Sequence, residues 1–413
     1  MKKIFLLFCP LLAMAQTHNT GVFVISPQTK VSTVGALTNT VNGTVLNDGE
    51  LYVYDDFSNE GLVTFTPNTK TGLTVLKGSK GIQNISGNSP IDWNNLQLDN
   101  SSIQPAFTLS NEVTVFGEAN FLKGIVNSNV VDSKIIFEST ATVINASDAS
   151  HVDGIVKKIG ATAFEYPIGA SGFYRYASLS APDVSTDSFT SQYFFENSDA
   201  LYPGTKKEST IELIDHAEYW KIERTNGASN IILTLSWNEA TTPAAVIAAP
   251  YENIHIVRWD PAASQWTDAG GVADFSAKEV TTLMKPLTSY GIFTLARVKA
   301  SNTTVLNCAG EPVEIMNLMS PNNDGLNDYF RILGLSLCPN NRLEIFNRWG
   351  VKVFETSSYD TKGNIFEGFS DARLTLNKGK LLPAGTYFYV LTFRDENSTV
   401  KQKEKIGYLF MTY

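Results

Sequence analysis

The sequence predicts an all-β protein of two or three domains, and three observations support this fold class. Short runs rich in Val, Thr, Tyr and Phe are separated by turn pairs such as Asn-Gly and Asp-Gly, which is typical of half-buried strands. Helix-period runs are missing, and the nearest helix candidate, Pro243 to Pro250, is short and bounded by prolines. A chain of 413 residues with 18% charged and 11% aromatic residues has the length and composition for separate β-rich cores.

The N-terminus carries the pattern of a secretory signal peptide, predicted over residues 1–15. Two lysines precede the apolar residues 4–12, and an Ala-x-Ala cleavage site ends at Ala15. We therefore expect the mature chain to begin at Gln16. Because no later run reaches about 18 apolar residues, no transmembrane segment is predicted in the mature chain.

Two cysteines, Cys308 and Cys338, stay in the chain after signal cleavage. In an oxidising compartment a pair of cysteines forms a disulfide more often than a metal site or a nucleophile. We expect a bridge between Cys308 and Cys338 that ties the linker to the C-terminal domain. The alternative is that both are unpaired, buried small side chains.

Charge is unevenly distributed along the chain. Residues 313–413 hold 12 Lys and Arg against 11 Asp and Glu, whereas residues 16–312 hold 18 against 30. The acidic character of the larger part argues against nucleic acid and anionic membrane surfaces as partners.

Residues 16–149 are predicted to form a β-rich, solenoid-like region. Breaks such as Asn47-Asp48-Gly49 and Asn59-Glu60-Gly61 separate the short apolar stretches, and we expect their turn residues to supply positive φ. Short strands of similar length at loosely regular spacing favour a solenoid, in which each coil stacks on the previous one. The repeat is too irregular to assign a period, and an up-and-down sandwich would give much the same pattern.

Residues 150–297 are predicted to form an antiparallel β-sandwich, because aromatic-bearing runs with period-two alternation follow one another. Four tryptophans lie within these runs: Trp220, Trp237, Trp259 and Trp266. We interpret them as core residues, and the alternative is a carbohydrate platform, since flat rings stack on sugar faces. Residues 298–312 are polar, lack strand alternation and are the predicted linker.

The C-terminal residues 313–413 carry three linked motifs. They read Ser-Pro-Asn-Asn-Asp-Gly-Leu-Asn-Asp at 320–328, Asn-Asn-Arg-Leu-Glu-Ile-Phe-Asn-Arg-Trp-Gly at 340–350, and Leu-Pro-Ala-Gly-Thr-Tyr-Phe-Tyr at 382–389. The end of the second motif is a tight turn that closes a hairpin, and the start of the third begins the next strand. The spacing predicts a compact antiparallel sandwich of about seven strands.

These motifs, in this order, resemble the gliding motility-associated C-terminal domain family, the type B sorting domain of the type IX secretion system. The resemblance implies an Ig-like seven-stranded sandwich. It also implies that the chain crosses the inner membrane by its signal peptide and is then recognised by the outer-membrane translocon and its β-barrel shuttle or receptor proteins. The oligomeric state is not predicted.

An exposed edge strand would give the translocon a row of main-chain hydrogen bonds. From position and composition, we predict that this edge is the last strand of the chain. The residues assigned to translocon recognition are Tyr408, Leu409, Phe410, Met411, Thr412 and Tyr413.

The first motif also suggests a calcium loop, because it places hard oxygen ligands around a glycine. The candidate ligands are Asn322, Asn323, Asp324 and Asp328. The glutamate at the twelfth position of an EF-hand is missing, and Asn or Asp before glycine more often forms a turn. No cofactor is therefore predicted.

Catalytic signatures are absent from the sequence. The four histidines, His18, His151, His216 and His255, are isolated, and neither a His-Glu-x-x-His nor a Gly-x-Ser-x-Gly motif occurs. Asp215 next to His216 is interpreted as a surface turn. Carboxylate pairs for glycoside chemistry leave no spacing in a sequence and stay open.

The sequence thus predicts a secreted or cell-surface protein that is not an enzyme. It is expected to be outer-membrane associated or extracellular and to act in adhesion, in gliding motility or as a translocon-associated component. The alternative is a secreted polysaccharide-binding or polysaccharide-degrading protein that uses the solenoid or the tryptophan-bearing sandwich.

Overall fold

The computed structural model describes residues 16–283, 286–300, 313–335, 338–360, 363–370, 379–393 and 403–413. Two compact units are present: Met1–Ile159 with Pro167–Tyr174, and Gly160–Tyr166 with Arg175–Tyr413. The predicted signal peptide, Cys308 and most of the predicted linker lie outside the described residues. Within them, strands dominate and helical structure is limited to 3-10 turns such as Tyr251–Asn253, so the all-β prediction is confirmed. No helix of this described part is long and apolar enough to span a membrane.

The first unit contains a three-sided parallel β-helix. Its strands, in chain order, are β1 Thr17–Asn19, β2 Val22–Ile25, β3 Lys30–Thr33, β4 Leu37–Asn39, β5 Thr44–Asn47, β6 Glu50–Val53, β7 Phe57–Asn59, β8 Leu62–Thr64, β9 Leu73–Gly78, β10 Gln83–Ser86, β11 Ile91–Trp93, β12 Asn95–Asn100, β13 Phe107–Leu109, β14 Glu112–Val115, β15 Glu118–Lys123, β16 Val126–Ser128, β17 Lys134–Phe137, β18 Thr142–Ile144, β19 Val152–Gly154 and β20 Val156–Ile159. Every third strand joins the same face: β1, β4, β7 and onward form the first, β2, β5, β8 and onward the second, and β3, β6, β9 and onward the third. The solenoid-like prediction for this region is confirmed.

Rows of stacked apolar side chains fill the interior of the β-helix. The parallel register places one residue of each coil directly over its counterpart in the next coil, so inward-facing positions form continuous rows. The row on the second face is fully buried and consists of Val45, Val63, Ile91, Val113, Ile135 and Val156.

The coils differ in length, which explains why the sequence shows no fixed period. From Leu37 to its partner Phe57 the chain takes 20 residues, from Phe57 to Ile85 it takes 28, and from Phe107 to Val126 it takes 19. The differences lie in the corners between faces. The strands keep their register while the corners absorb insertions.

A ladder of buried asparagine side chains runs along one corner. The Asn19 amide donates to the Asn39 side-chain oxygen at 2.8 Å, and the Asn39 amide donates to the Asn59 side-chain oxygen at 2.8 Å. The Asn39 amide also donates to the Leu62 carbonyl at 3.1 Å. Because each amide bonds to its neighbours, Asn39 and Asn59 tolerate full burial, whereas Asn19 at the end of the ladder is half-buried.

The glycines of the Asn-x-Gly breaks serve a different purpose from the one expected. Gly49 and Gly61 do not have positive φ, so the expectation that these turn residues supply it is wrong at these positions. A Cβ at Gly49 would lie 2.5 Å from the Ser26 carbonyl oxygen, and one at Gly61 would lie 2.2 Å from the Gly43 carbonyl oxygen. Glycine is required because adjacent coils approach closely at the corners.

The second unit begins with an antiparallel β-sandwich, as predicted. From residue 160 the strands are β21 Phe164–Tyr166, the hairpin strands β22 Gly169–Ala170 and β23 Phe173–Tyr174 of the first unit, β24 Ala177–Leu179, β25 Ser188–Phe194, β26 Ile211–Ile214, β27 Tyr219–Asn226, β28 Leu233–Ser236, β29 Ile254–Asp260, β30 Gln265–Gly270, β31 Val272–Asp274, β32 Glu279–Thr281 and β33 Gly291–Val298. One sheet has the order β25-β27-β33-β29-β30 with β26 beside β33, and the other has the order β21-β24-β28-β32-β31. Below, the β-helix and this sandwich together are called the passenger.

The residues described in the C-terminal domain, which belongs to the same unit, form seven further strands. They are β34 Glu314–Ile315, β35 Leu318–Met319, β36 Ile332–Leu333, β37 Arg342–Phe346, β38 Lys352–Ser357, β39 Gly385–Phe393 and β40 Lys403–Met411. β34 pairs with β36, and the larger sheet has the order β35-β40-β39-β37-β38. The β35–β40 pair is parallel, which differs from the wholly antiparallel arrangement expected.

Replacing Asn39 with alanine is expected to lower the free energy of unfolding by about 2–4 kcal/mol, because the amides of Asn19 and Asn59 lose their buried partner. Denaturant unfolding followed by circular dichroism measures this. Asn88→Ala is the control, because the exposed Asn88 amide bonds to the half-buried Glu60 carboxylate and its loss should change stability by less than about 0.5 kcal/mol. Equal effects of the two substitutions would contradict a structural ladder.

Candidate functional site in the C-terminal domain

The turn of the second motif closes the β37–β38 hairpin, as the sequence predicts. The Asn347 side-chain oxygen accepts hydrogen bonds from the backbone N–H groups of Trp349 and Val351, both at 3.0 Å. Gly350 has a φ of +71° and its N–H donates to the Asn347 carbonyl at 2.9 Å. An asparagine and a glycine at these two places therefore fix the turn locally.

The core of the domain forms around a buried tyrosine. The Tyr359 hydroxyl donates to the Phe330 carbonyl and accepts the backbone N–H of Phe366 at 3.1 Å. Phe366 in turn packs against Phe354, with ring centroids 5.0 Å apart. These contacts link the loop that follows β38 to β38 itself and to the segment just before β36.

The first motif folds into a loop held by its own side chains. Asp328 accepts the backbone N–H groups of Asn323 at 2.6 Å and Gly325 at 2.8 Å, and Asp324 accepts that of Leu326 at 2.8 Å. Both carboxylates are thus used as turn acceptors.

The four calcium candidates lie in this one loop. Besides the bonds above, the Asn322 amide donates to Asp324 at 3.0 Å. A group of three or more His, Cys, Asp or Glu side chains suited to a metal is not found among the residues described. The calcium hypothesis gains no support from this geometry, because only two carboxylates lie in the loop.

The last strand differs from the free edge that was expected. The backbone N–H of Phe410 donates to the Asn317 carbonyl at 2.8 Å, and that of Thr412 donates to Met319 at 3.0 Å. β40 therefore lies between β39 and β35 at its C-terminal end. The reason is that β35, just before the first motif, runs alongside it. The Tyr413 hydroxyl donates to the Leu382 carbonyl.

The N-terminal half of β40 is open on one side. β35 reaches only Phe410 and Met411, and among the described residues no strand covers the preceding part of β40 on that side. The register with β39 is continuous from Lys403 to Met411. Since N–H groups alternate in direction along a strand, those of Glu404 and Tyr408 point to the open side, like that of Phe410. A role of residues 408–413 in translocon recognition stays a prediction.

Cys338 is fully buried and disulfide-bonded. Its predicted partner, Cys308, falls outside the described residues. Around Cys338, the backbone N–H donates to the Leu335 carbonyl at 2.8 Å and the carbonyl accepts the Asn341 amide at 2.8 Å.

Both faces of β39 are buried, but against different neighbours. Tyr387, Tyr389 and Leu391 point into the core of the C-terminal domain. Phe388 and Val390, which alternate with them, pack on the passenger sandwich. The passenger contributes Val272 and Leu283 to this apolar contact, and the C-terminal domain also places Phe346, Ile406 and Tyr408 there.

An arginine of the second motif extends the same contact. Arg348 pairs with Glu165 at 2.9 Å and with Glu279 at 3.5 Å. Glu279 is buried and also accepts the Tyr176 hydroxyl at 2.9 Å. Burial raises the pKa of Glu279, and the Arg348 guanidinium opposes that rise. Next to this ion pair, a Cβ on Gly350 would lie 2.2 Å from Ile232.

The histidines of the sequence analysis do not assemble a catalytic or metal-binding group. They lie in separate parts of the fold. His18 is exposed on β1, His151 is buried beside the Ser147 carbonyl just before β19, and His216 is exposed between β26 and β27. His255 lies 2.9 Å from Asp268 on the neighbouring strand. Burial lowers the pKa of His151.

Asp215 is buried and its neighbour His216 is exposed, so the interpretation of this pair as a surface turn is wrong for Asp215. Asp215 is buried, and its Oδ1 accepts the Ala217 N–H at 2.9 Å. The carboxyl lies near Glu218, and its pKa is raised well above the usual range, first by burial and then by the Glu218 charge. Asp215 and His216 thus do not form a dyad.

A buried ion pair lies at the centre of the passenger sandwich, and sequence reasoning did not identify it. Arg175 donates through two nitrogens to Glu218, at 2.6 and 3.0 Å, and both side chains are almost fully buried. Tyr193 and Thr242 donate to the same carboxylate, each at 2.5 Å. The guanidinium lies 5.2 Å from the Trp220 ring centroid. The carboxylate is fully occupied by protein donors, which is typical of a structural pair.

The tryptophans are mainly core residues. Trp220, Trp237 and Trp266 are at most 3% exposed, and Trp259 is half-buried against Tyr202. Flat rings that stack on a sugar would need an exposed face. The sandwich therefore lacks a platform at three of the four positions.

Residues 313–411 match the family model of the CHU_C type IX secretion signal domain. This domain is a type IX secretion signal domain, as its motifs indicate, and such a signal directs export to the cell surface or the extracellular space. The match covers the C-terminal part of the chain. No curated protein matches this chain.

Arg348→Ala is expected to lower the free energy of unfolding by about 1–3 kcal/mol, because it leaves the buried Glu279 carboxylate without its cation. Denaturant unfolding of the full chain measures the change. Arg342→Ala is the control, since Arg342 pairs with Glu355 on the surface and should contribute less than about 1 kcal/mol. An Arg348 variant as stable as the control would show that the ion pair does not hold the contact.

Asp215→Asn is expected to stabilise the protein by more than about 1 kcal/mol at neutral pH, with little effect near pH 4. Folding raises the pKa of the Asp215 carboxyl. The stability that this carboxyl contributes is therefore fully present at a pH below its pKa in the unfolded state, and it is lost as the pH rises through its pKa in the folded state. An asparagine side chain has the same shape as the protonated aspartic acid but does not ionise as the pH rises. Unfolding measured from about pH 4 to 8 tests this, with the exposed Asp183→Asn as control. A pH-independent difference would contradict the assignment.

Proposed function

We propose that this protein is a non-enzymatic surface or extracellular protein that acts by contact. Its C-terminal domain is the signal that brings it there, and the family match at residues 313–411 carries this proposal. The passenger supports it, because the buried ion pair of its sandwich, Arg175 with Glu218, is occupied by other protein groups. Adhesion, gliding motility and a translocon-associated role, at the outer membrane or released from it, are the functions we assign to this class.

Recognition by the translocon is proposed to use the open side of β40. The outer face of the sheet packs on Val272 and Leu283 of the passenger. The open edge of β40 is a different surface, and its backbone groups are directed to where a partner strand would pair. Strand addition supplies main-chain hydrogen bonds without needing a pocket. Glu404 is exposed, and its N–H is directed to this side.

The export prediction is tested with the full chain in a type IX-competent host and in a translocon mutant. We expect surface or medium localisation in the first strain and periplasmic retention in the second. Deletion of residues 313–413 should cause retention in both strains. Export that persists after this deletion, or in the translocon mutant, would refute the assignment.

The edge prediction is tested with Glu404→Pro against Glu404→Ala. Proline removes the N–H on the open side and leaves the ladder to β39 intact, so it should reduce export several-fold, whereas alanine should not. Circular dichroism of both purified variants checks that they fold. Equal export of the two would locate recognition elsewhere in the domain.

One observation favours the alternative function, which is binding or degradation of a polysaccharide. This observation is a cavity on the side of the β-helix. The tryptophans of the sandwich do not line it.

A further inference from the structure

The β-helix carries a cavity of about 670 Å³ on the corner between its second and third faces. Four successive corners line it. The first runs from the end of β8 at Thr64 to Leu73, the next two are short, and the fourth runs from Phe137 to Thr142. Two longer corners thus flank two tight ones, and the difference in length creates a notch in the side of the coil stack.

The first wall of the notch is fixed by a buried aspartate. The Asp48 carboxylate accepts the Thr66 N–H at 2.7 Å and the Thr66 hydroxyl at 2.6 Å. The Thr71 hydroxyl donates to the Asp48 carbonyl at 2.7 Å. This loop is therefore held in one conformation by the coil beneath it.

The opposite wall is fixed by a buried lysine. The Lys158 ammonium donates to the carbonyl oxygens of Glu138, Ser139 and Ala141, the last two at 3.1 Å. Lys158 is only 4% exposed. A charged side chain is buried beneath the turn and holds its carbonyls, so this wall is also preformed. A preformed concave site of this volume falls in the range of about 300–1,000 Å³ usual for small-ligand pockets.

The lining combines aromatic rings with planar polar groups. Phe65 and Phe116 meet edge to face with centroids 5.1 Å apart, and both are half-buried. Asp92, Glu118 and Glu138 bring carboxylates to the same cavity. Aromatic surface that packs on C–H groups, next to carboxylates that accept O–H donors, matches the two kinds of surface on a sugar ring.

The charge of the lining narrows the ligand class. Three carboxylates face a single cation of the lining, Lys70, so the cavity is net negative. Such a field disfavours uronates, phosphates and sulfated sugars. A neutral glycan brings hydroxyl donors without adding negative charge.

We propose that this cavity is a binding site for a neutral glycan chain, with Phe65 and Phe116 as the apolar surface and Asp92 as a hydroxyl acceptor. This binding goes beyond export and does not depend on it. The proposal assigns no hydrolysis. A purified chain therefore tests it separately from the export experiments.

The test uses purified chain of residues 16–413 and short fragments of cellulose, xylan, mannan and chitin, with affinity measured by calorimetry. We expect at least one fragment to bind. Asp92→Asn and Phe116→Ala should each weaken that binding roughly tenfold or more. Tyr54→Ala is the matched control, because Tyr54 is an exposed aromatic residue of the same β-helix outside the cavity, and it should leave the affinity unchanged.

Three outcomes would overturn the proposal: no neutral fragment binds, both cavity variants bind as well as the unmodified chain, or a polyuronate or lysine-rich peptide occupies the cavity in preference. Melting temperatures show whether each variant is folded. If Phe116→Ala fails to fold, Asp92→Asn decides the question alone, since it changes one oxygen to an amide nitrogen without changing the shape.

Discussion

The close stacking of one coil on the next is the constraint on which the passenger's first unit depends. Parallel strands about 4.8 Å apart place each residue over its counterpart, so every buried position must suit its own neighbours above and below. Apolar rows satisfy this by packing, and the ladder through Asn39 satisfies it by hydrogen bonds between like side chains. At the corners the backbones come too close for a Cβ, which explains glycine at positions 49 and 61. The coils differ from one another mainly in the length of their corners, and corners of unequal length form the cavity that is proposed to bind a glycan.

Charges in the sandwich follow a second rule, because a buried charge is tolerated only when other groups occupy it. Arg175 and Glu218 meet this condition with two hydrogen bonds between them and further donors on the carboxylate. Asp215, next to this pair, has too few partners to keep its charge, and its raised pKa is the result. The same logic holds at the contact with the sorting domain, where Arg348 compensates the buried Glu279.

The secretion signal domain is therefore not an isolated appendage of the second unit. Alternation along β39 sends one set of side chains into the domain's own core and the other set onto the sandwich. The motif residues Arg348 and Gly350 also contact the sandwich, in addition to shaping the hairpin. With its outer face covered, the domain has its loops and its strand edges left to present to a partner, and among the described residues these edges include β38 and the open part of β40.

The sequence by itself determined the strand class, the solenoid-like character of the N-terminal region and the identity of the C-terminal domain. These properties depend on local alternation, on turn residues such as Asn347 and Gly350, and on linked motifs, all of which are readable along the chain. The tertiary structure alone decided which residues meet. It paired Arg175 with Glu218 across 43 residues, covered the end of β40 with a strand from the start of the domain, and joined four distant corners into one cavity. Such contacts join residues that are far apart in the sequence, and they depend on how strands and coils align in three dimensions. Local sequence patterns do not specify that alignment.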